Sequence, residues 1–231
     1  MSKTAIVTGA SRGIGYQTCI ALAQKNCNVI AIARSANPLE ELAKTNPDLI
    51  TPFTGDLTSE KDVKKIYNFV ADNFGTINIL VNNAGALVNK QFQDLTLEDW
   101  QHMLDINLLA NVHLTKSLLA LFSESSHIVN ISSMGGFQGS DKFPGLSAYS
   151  VAKGAVSILS ECLATELAPK GISVNALCLG AVQTEMLGQA FPGFEAPVSP
   201  EEMGKYIANF ALDGSSFYNG KVLPVALTDP E

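Results

Sequence analysis

Tyr149 and Lys153 are the side chains whose types and spacing suggest catalysis most directly. They stand one helical turn apart in a segment with a helical pattern, so both would leave the helix on the same face. A tyrosine phenol can give or take a proton, but its ordinary pKa of about 10 hinders exchange near neutral pH. A nearby ammonium group favours the tyrosinate and lowers this pKa. The pair predicts general acid–base catalysis, although Tyr and Lys at this spacing are also common in helices without a catalytic role.

A glycine-rich turn, TGASRGIG, spans residues 8–15 between the first apolar run and the first helical pattern. Gly9 and Gly13 permit a tight turn and the close approach of a ligand, and Gly15 lets the helix pack near the strand. The free N–H groups at the start of the helix would bind a pyrophosphate. The turn therefore predicts a dinucleotide site; the simpler alternative is a plain strand-to-helix turn.

The end of the second apolar run indicates which nicotinamide cofactor is bound. An NAD site usually has Asp or Glu there to bind the ribose 2′-hydroxyl, whereas Arg accommodates a 2′-phosphate. This sequence has Ala33-Arg34, and Arg12 in the glycine-rich turn adds a second cation that pairs well with phosphate oxygens. We predict NADP in preference to NAD; the alternative is that Arg34 is a solvated surface residue.

Apolar runs and amphipathic segments alternate along the chain and must position these residues. The predicted strands, mostly short and β-branched, span residues 4–8, 28–33, 49–54, 77–82, 127–132, 172–177 and 221–225. The predicted helices span residues 13–25, 39–44, 59–73, 97–123, 149–169 and 200–212. The alternation predicts an α/β fold: a single Rossmann-type domain over residues 1–231, with a doubly wound parallel sheet and helices on both faces.

Two local patterns add detail. Helix starts with capping-box character occur at Ser59-x-x-Asp62, Thr96-x-x-Asp99 and Ser199-x-x-Glu202. Residues 183–198, with two prolines, two glycines and two phenylalanines, follow the sixth predicted strand. We expect either a mobile lid that serves as a substrate loop or an ordinary surface loop.

Three further segments complete a recognisable set: Gly55-Asp56-Leu57, Asn82-Asn83-Ala84-Gly85 and Asn130-Ile131-Ser132-Ser133. With the glycine-rich turn and Tyr149-x-x-x-Lys153, they resemble the classical short-chain dehydrogenases/reductases, from Thr4 to about Val225. The resemblance implies a catalytic group of Asn107, Ser133, Tyr149 and Lys153. Ser132 is the weaker candidate for the serine, because strand alternation would turn it to the opposite face.

The resemblance also implies a role for each member of this group. Tyr149 would be the proton donor or acceptor, and Ser133 would hydrogen-bond the substrate oxygen. Lys153 would hold the nicotinamide ribose, and Asn107 would complete a water-linked proton path. The implied cofactor contacts are Gly9, Ser11, Arg12, Gly13, Ile14, Gly15, Arg34, Asp56, Leu57, Asn83, Ala84, Gly85, Tyr149, Lys153, Gly180, Val182 and Thr184. Among them, Asp56 would contact adenine and Thr184 would bind the nicotinamide amide.

Three departures from the family pattern carry expectations of their own. Leu179-Gly180 replaces the usual Pro-Gly, which would loosen the following loop. The segment between Ser133 and Tyr149 is longer than usual, and its surplus around Gly139–Gly145 would bulge outward near the pocket. The C-terminal run from Val225 to Pro230 lacks the usual Asp-Gly-Gly, which puts the family's usual tetramer in doubt. A homodimer or a homotetramer is expected.

The leading hypothesis is an NADP(H)-dependent oxidoreductase that interconverts a carbonyl and a secondary alcohol. Apolar residues that could line its pocket are Leu87, Met134, Phe143, Met186, Leu187 and Phe191. They favour an apolar carbonyl substrate, although each could be ordinary core. Reduction of 3-oxoacyl thioesters, oxidation of sugars or polyols, and general ketone reduction stay open. The alternative is an NADP-sensing protein without turnover. Such a protein would be expected to lose Ser133, Tyr149 or Lys153, and because all three are present this hypothesis ranks second.

Bulk properties exclude other classes. The net charge is −7 and no stripe of Lys or Arg occurs, so nucleic acid is not an expected partner. No apolar stretch is long enough to span a bilayer, and we expect a cytoplasmic protein. Cys19, Cys27, Cys162 and Cys178 lie in apolar segments and are expected to be buried thiols. No metal site is predicted, and no chemistry is assigned to the three histidines.

Overall fold

Short apolar segments form a seven-stranded parallel sheet in the computed structural model, which describes residues 2–227. The strand order is β3-β2-β1-β4-β5-β6-β7. The strands are β1 (Thr4–Thr8), β2 (Asn28–Ala33), β3 (Ile50–Thr54), β4 (Ile77–Asn82), β5 (Phe122–Ser133), β6 (Ile172–Leu179) and β7 (Val222–Val225). The order reverses direction beside β1, so the carboxyl ends of β1 and β4 border a crevice in which such sheets bind ligands.

Helices cover both faces of the sheet. They are α1 (Gly13–Ala23), α2 (Ala36–Thr45), α3 (Glu60–Asn73), α4 (Leu97–Leu104), α5 (Ala110–Leu118), α6 (Ser147–Leu167), α7 (Glu185–Ala190) and α8 (Pro200–Asp213). Alternate residues of each strand supply the two cores: Val7 packs with α1 and α8, and Ile6 packs with α3 and α5. The predicted Rossmann-type α/β fold is confirmed. No helix within residues 2–227 is both long and apolar enough to cross a membrane.

The helix predicted over residues 97–123 is too long by five residues and is not continuous. A π-helical turn, Asp105–Leu109, separates α4 from α5, and α5 ends at Leu118. Phe122 belongs to β5 instead, because it pairs with Ile77 of β4. Pairing with a distant strand overrides the local apolar periodicity that suggested a helix. β5 accordingly begins at Phe122, five residues before the start of the strand predicted over residues 127–132. The other predicted elements lie within about three residues of their observed bounds.

Two of the three predicted capping boxes are complete. In those at Thr96 and Ser199, the cap side chain and the acidic side chain three residues on each bind the other's backbone N–H. Ser59 accepts from the N–H of Asp62, but the Asp62 carboxylate accepts from the N–H of Asp56 instead. This capping box is therefore half formed, and the Asp62 carboxylate stabilises the turn after β3 instead.

Cysteine burial differs from the expectation at one position. Cys19, Cys27 and Cys178 are buried, whereas Cys162 is exposed because it lies on the outer face of α6. The atypical C-terminal run falls partly outside the described residues, since Thr228, Asp229 and Pro230 lie beyond Leu227.

A buried histidine ties β5 to α8 and β6. The Nδ1–H of His127 donates to the Ala211 carbonyl at 3.1 Å, and its Nε2 accepts from Asn175 at 2.9 Å. Asn175 also donates to the carbonyl of Tyr218 at 2.9 Å. Burial lowers the pKa of His127 to about 4, because the charged imidazolium would be desolvated. His127 is therefore neutral in the folded chain.

We expect this histidine to make stability depend on pH. Its folded pKa lies below the unfolded value of about 6.5, so its contribution is complete above pH 6.5 and is lost as the pH falls towards 4. The loss amounts to about 3 kcal/mol. Urea unfolding between pH 7 and 4 measures it, with His127→Gln as the comparison. The variant should be less stable at pH 7 and have a flatter profile; parallel profiles would contradict the assignment.

Candidate active site

A cleft of about 1170 Å³ opens at the carboxyl ends of the central strands. Its walls come from the turn after β1, the segment after β4, the end of β5, the start of α6 and the loop after β6. All of the residues that the sequence singled out for catalysis line it: Asn107, Ser133, Tyr149 and Lys153. Parallel strands bring these distant segments together, because their carboxyl ends all meet at one edge of the sheet.

Tyr149 and Lys153 project from the first two turns of α6 towards the end of β5. The Lys153 Nζ lies 5.9 Å from the centre of the Tyr149 ring. Ser133, the last residue of β5, faces the Tyr149 phenol. Lys153 is buried, and Tyr149 and Ser133 are partly buried. A strand end and a helix start thus place two hydroxyls and an ammonium group in one wall of the cleft.

Hydrogen bonds at the base of α6 seat it against β5. Lys153 Nζ donates to the Ile131 carbonyl at 2.9 Å, and the Ser132 hydroxyl donates to the Lys153 carbonyl at 2.8 Å. Ser157 donates to the Ser132 hydroxyl at 3.2 Å. The hydroxyl of Ser132 is therefore occupied by the helix backbone, whereas its neighbour Ser133 reaches Tyr149.

Burial shifts the proton affinities of the pair in opposite directions. It raises the pKa of Tyr149, and the nearby Ser133 hydroxyl only partly opposes this rise. It lowers the pKa of Lys153 to about 8. Lys153 by itself does not lower the pKa of Tyr149 below its ordinary value. The phenol is desolvated, and the ammonium is directed at the Ile131 carbonyl rather than at the phenol.

Asn107 lies in the π-helical turn and holds the segment after β4. Its amide accepts from the N–H of Ala86 at 3.2 Å and donates to the Ala86 and Met103 carbonyls, both at 3.0 Å. A Cβ on Gly85 would lie 2.8 Å from Asn107 Oδ1 and 3.3 Å from Lys153 Nζ. A side chain at this position would displace Asn107 or Lys153, so glycine lets the backbone pass between the two side chains with both in place.

The glycine-rich turn packs tightly against the end of β4. Gly9 and Gly13 have φ angles of +65° and +58°, in the left-handed region that side chains disfavour. A Cβ on Gly15 would collide with the Gly9 carbonyl oxygen. Asn83 Nδ2 donates to the Thr8 carbonyl at 2.9 Å, so this amide supports the turn. The first turn of α1 has no side-chain cap, which leaves its N–H groups suited to a pyrophosphate.

The two predicted phosphate-binding arginines differ in their surroundings. Arg34 is exposed at the end of β2 and forms no salt bridge within residues 2–227. Arg12 instead pairs with Glu185 at 2.6 Å. Asp56, at the end expected to hold adenine, accepts from the N–H and hydroxyl of Thr58 at 2.9 and 2.8 Å.

The loop after β6 is more structured than its composition suggests. The N–H of Gly180 donates to the Val225 carbonyl at 2.9 Å, so the strand pairing continues although the usual proline is missing. Val182 pairs with Val198 and closes the base of the loop. Within it Thr184 caps α7, and its methyl group would lie 3.5 Å from a Cβ on Gly13. Residues 183–198 therefore contain a helix that abuts the glycine-rich turn.

An apolar chamber forms the outer part of the cleft. The six apolar side chains that the sequence suggested all line it: Leu87, Met134, Phe143, Met186, Leu187 and Phe191. The rings of Phe143 and Phe191 lie 6.2 Å apart and connect the longer segment after β5 to the loop after β6. Asn89 donates to the Ala190 carbonyl at 2.9 Å, and Lys90 N–H donates to the Gly145 carbonyl at 2.9 Å. The segment after β4 is thus hydrogen-bonded both to the segment after β5 and to the loop after β6.

Sequence reasoning missed three residues that shape the site. Thr8 accepts hydrogen bonds from the N–H groups of Asn83 and Ala84, both at 2.9 Å, and so joins β1 to β4. A Cβ on Gly136 would lie 2.5 Å from the N of Gly154, so α6 can approach only a glycine there. Glu185 pairs with Arg12. The position of each residue in the sequence was the signal that could have found it. Thr8 opens the glycine-rich turn, Glu185 follows Thr184 directly, and Gly136 stands three residues after Ser133.

Comparison with known proteins agrees with this geometry. Residues 3–193 match the model of the short chain dehydrogenase family. An uncharacterised oxidoreductase of Staphylococcus saprophyticus is 31% identical over 223 residues, with 94% of each chain covered. A 3-oxoacyl-[acyl-carrier-protein] reductase of Thermotoga maritima is 30% identical over 239 residues, with 96% of each chain covered.

The close approach of α6 to Gly136 yields a prediction. In Gly136→Ala the added methyl group would overlap the backbone of Lys153 and Gly154, which cannot rotate away as a side chain can. We expect the free energy of unfolding to fall by about 1–3 kcal/mol, as for other overpacked sites. Urea titration checks this. Gly188→Ala is the control, because nothing lies within 4 Å of the added methyl. Equal stability of the two variants would contradict the proposed steric limit.

Proposed function

The chain belongs to the short-chain dehydrogenase family and is an oxidoreductase acting on CH–OH and C=O groups, and on this premise we propose that it reduces an apolar carbonyl compound with NADPH. The observation that carries the proposal is the meeting of Ser133, Tyr149 and Lys153 in one wall of the cleft. A bound nicotinamide would supply the hydride to the carbonyl carbon. The side chains of this wall supply the proton and the hydrogen bonds.

Tyr149 acts as the proton donor in this proposal. Burial raises its pKa, so the phenol stays protonated at neutral pH and can give its proton to the carbonyl oxygen in reduction. Ser133, which faces Tyr149, donates to the same oxygen and stabilises its developing charge. In the reverse reaction Tyr149 is the base.

Lys153 and Asn107 support this proton transfer. The pKa of Lys153 is lowered to about 8, so the ammonium can give up a proton at little cost when Tyr149 needs one. Lys153 also holds the nicotinamide ribose. Asn107 lies beside Lys153 across Gly85 and completes the water-linked path along which protons return.

The NADP site follows the far half of the cleft. The glycine-rich turn would hold the pyrophosphate, through Gly9, Ser11, Gly13, Ile14 and Gly15. Arg12 and Arg34 would bind the 2′-phosphate. The remaining contacts come from Asp56, Leu57, Asn83, Ala84 and Gly85 along the adenosine and ribose, and from Gly180, Val182 and Thr184 at the nicotinamide. All of these residues except Gly15 line the cleft, which supports the assignment.

The substrate is an apolar carbonyl compound, because the chamber beside Tyr149 is built from aromatic and aliphatic side chains. Residues 183–198 serve as the substrate loop, with Phe191 facing Phe143 across the chamber. A spectrophotometric screen of NADPH and NADH oxidation tests the proposal against a panel of 3-oxoacyl thioesters, sugars and simple ketones. Turnover of the apolar members with NADPH supports it. Cofactor binding without turnover of any member would favour the NADP-sensing alternative.

The proposal extends to the assembly: residues 1–231 form a single catalytic unit that works as a homodimer or homotetramer. Exposed apolar side chains support a contact between copies, since Leu109, Val151 and Ile158 face solvent on the π-helical turn and α6. Isolated large apolar groups on a surface are common, but extended exposed apolar patches mark interaction sites.

Removing the Tyr149 hydroxyl should abolish turnover. In Tyr149→Phe we expect kcat to fall at least roughly a hundredfold, because general acid catalysis contributes about that much or more. The Kd for NADPH, measured by fluorescence, should change by less than about twofold, since one of many contacts is lost. Tyr206→Phe, on the exposed face of α8, is the control and should behave as the parent. A kcat within a few-fold of the parent would sink the assignment of Tyr149.

Replacing Arg34 should change the cofactor preference. Arg34→Asp removes the free cation at the end of β2 and supplies a carboxylate for a 2′-hydroxyl. We expect kcat/KM for NADPH to fall at least roughly tenfold, the size of a lost hydrogen bond to a charged group, and that for NADH to rise. Lys170→Asp makes the same change of net charge at the opposite edge of the sheet and should leave the ratio unaltered. An unchanged ratio in Arg34→Asp would show that Arg34 does not bind the phosphate.

A further inference from the structure

The ion pair between Arg12 and Glu185 joins two parts of the cleft that are far apart in sequence. Arg12 lies within the glycine-rich turn as the N-cap of α1, and Glu185 is the first residue of α7. Their side chains meet at 2.6 Å. The methyl group of Thr184, next to Glu185, faces Gly13, next to Arg12, so backbone packing keeps the two charges close.

The ion pair occupies the Arg12 guanidinium, which an anionic ligand in the cleft would need. Both side chains are 57% exposed, and ion pairs of this kind contribute only about 0.2–1 kcal/mol, so Arg12 can exchange its partner readily. Glu185 lines the same cleft as Arg34, the free cation at the end of β2. A phosphate in the cleft therefore meets one available guanidinium and one that a carboxylate already holds.

We propose that Glu185 sets the strength of the cofactor preference: its carboxylate competes with the cofactor 2′-phosphate for the Arg12 guanidinium, and so weakens NADP binding relative to NAD. The inference rests on the proposed function in taking Arg12 as a 2′-phosphate ligand. The Glu185 carboxylate contacts the guanidinium through Nη1, and a phosphate bound to the remaining donors would lie beside that carboxylate. The two anions repel each other, so the phosphate gains the full attraction of Arg12 only when Glu185 moves away.

The competition affects the two cofactors differently. NAD has a hydroxyl in place of the 2′-phosphate, so it leaves the Arg12–Glu185 pair intact. NADP must break the pair, and the free energy of the pair is subtracted from its binding. Direct repulsion between Glu185 and the pyrophosphate, in contrast, would act on both cofactors alike. The ratio of the two dissociation constants therefore isolates the competition.

A double-mutant cycle tests the inference by binding alone. The proteins are the parent, Glu185→Gln, Arg12→Gln and the double variant, each titrated with NADPH and NADH by nucleotide fluorescence. We expect Glu185→Gln to tighten NADPH binding roughly threefold, within the range of an exposed ion pair, and NADH binding much less. In the Arg12→Gln background the same substitution should no longer change the ratio. Glu195→Gln removes an equal charge from the same loop and is the control.

Each outcome has a definite meaning. An equal gain for NADPH and NADH, or a gain that persists without Arg12, would replace competition by plain charge repulsion and overturn the inference. So would a cofactor ratio that Glu185→Gln leaves unchanged. A parent protein that binds neither nucleotide would instead refute the proposed function, so the two failures are distinguishable.

Discussion

The seating of α6 on the carboxyl end of β5 is the contact on which the rest of the site depends. Lys153 donates to the Ile131 carbonyl, Ser132 donates back to the Lys153 carbonyl, and Gly136 leaves no side chain between the two elements. Because these bonds lie beneath the first turns of the helix, they set both the height and the rotation of α6. The approach of Tyr149 to Ser133 follows from that placement rather than from any attraction of its own.

The other half of the cleft has a comparable junction. The Thr8 hydroxyl accepts from two backbone N–H groups after β4, and Asn83 donates back to the Thr8 carbonyl. These bonds join the ends of β1 and β4, where the strand order reverses and a crevice must open. The groups suited to a phosphate thus belong to the junction of β1 with β4, and those suited to proton transfer belong to the junction of β5 with α6. The loop that contains α7 lies beside both.

Burial has opposite effects on the two ionisable groups of the catalytic wall, because one is an acid and the other a base. Desolvation disfavours both the tyrosinate and the ammonium, so the pKa of Tyr149 rises while that of Lys153 falls. The phenol therefore keeps its proton at neutral pH, and this state arises from the desolvation of Tyr149 in the fold.

The sequence by itself determined the order of strands and helices, the glycine-rich turn and the family resemblance, because apolar periodicity and short spaced motifs are local properties. It failed at Phe122, which a distant strand pairs, and at Cys162, whose exposure depends on which face of α6 is covered. Tertiary structure alone decided that Glu185 holds Arg12, that Gly136 admits α6 and that burial raises the Tyr149 pKa. Each of these depends on distances between segments that are remote in sequence, and such distances exist only after the sheet has formed.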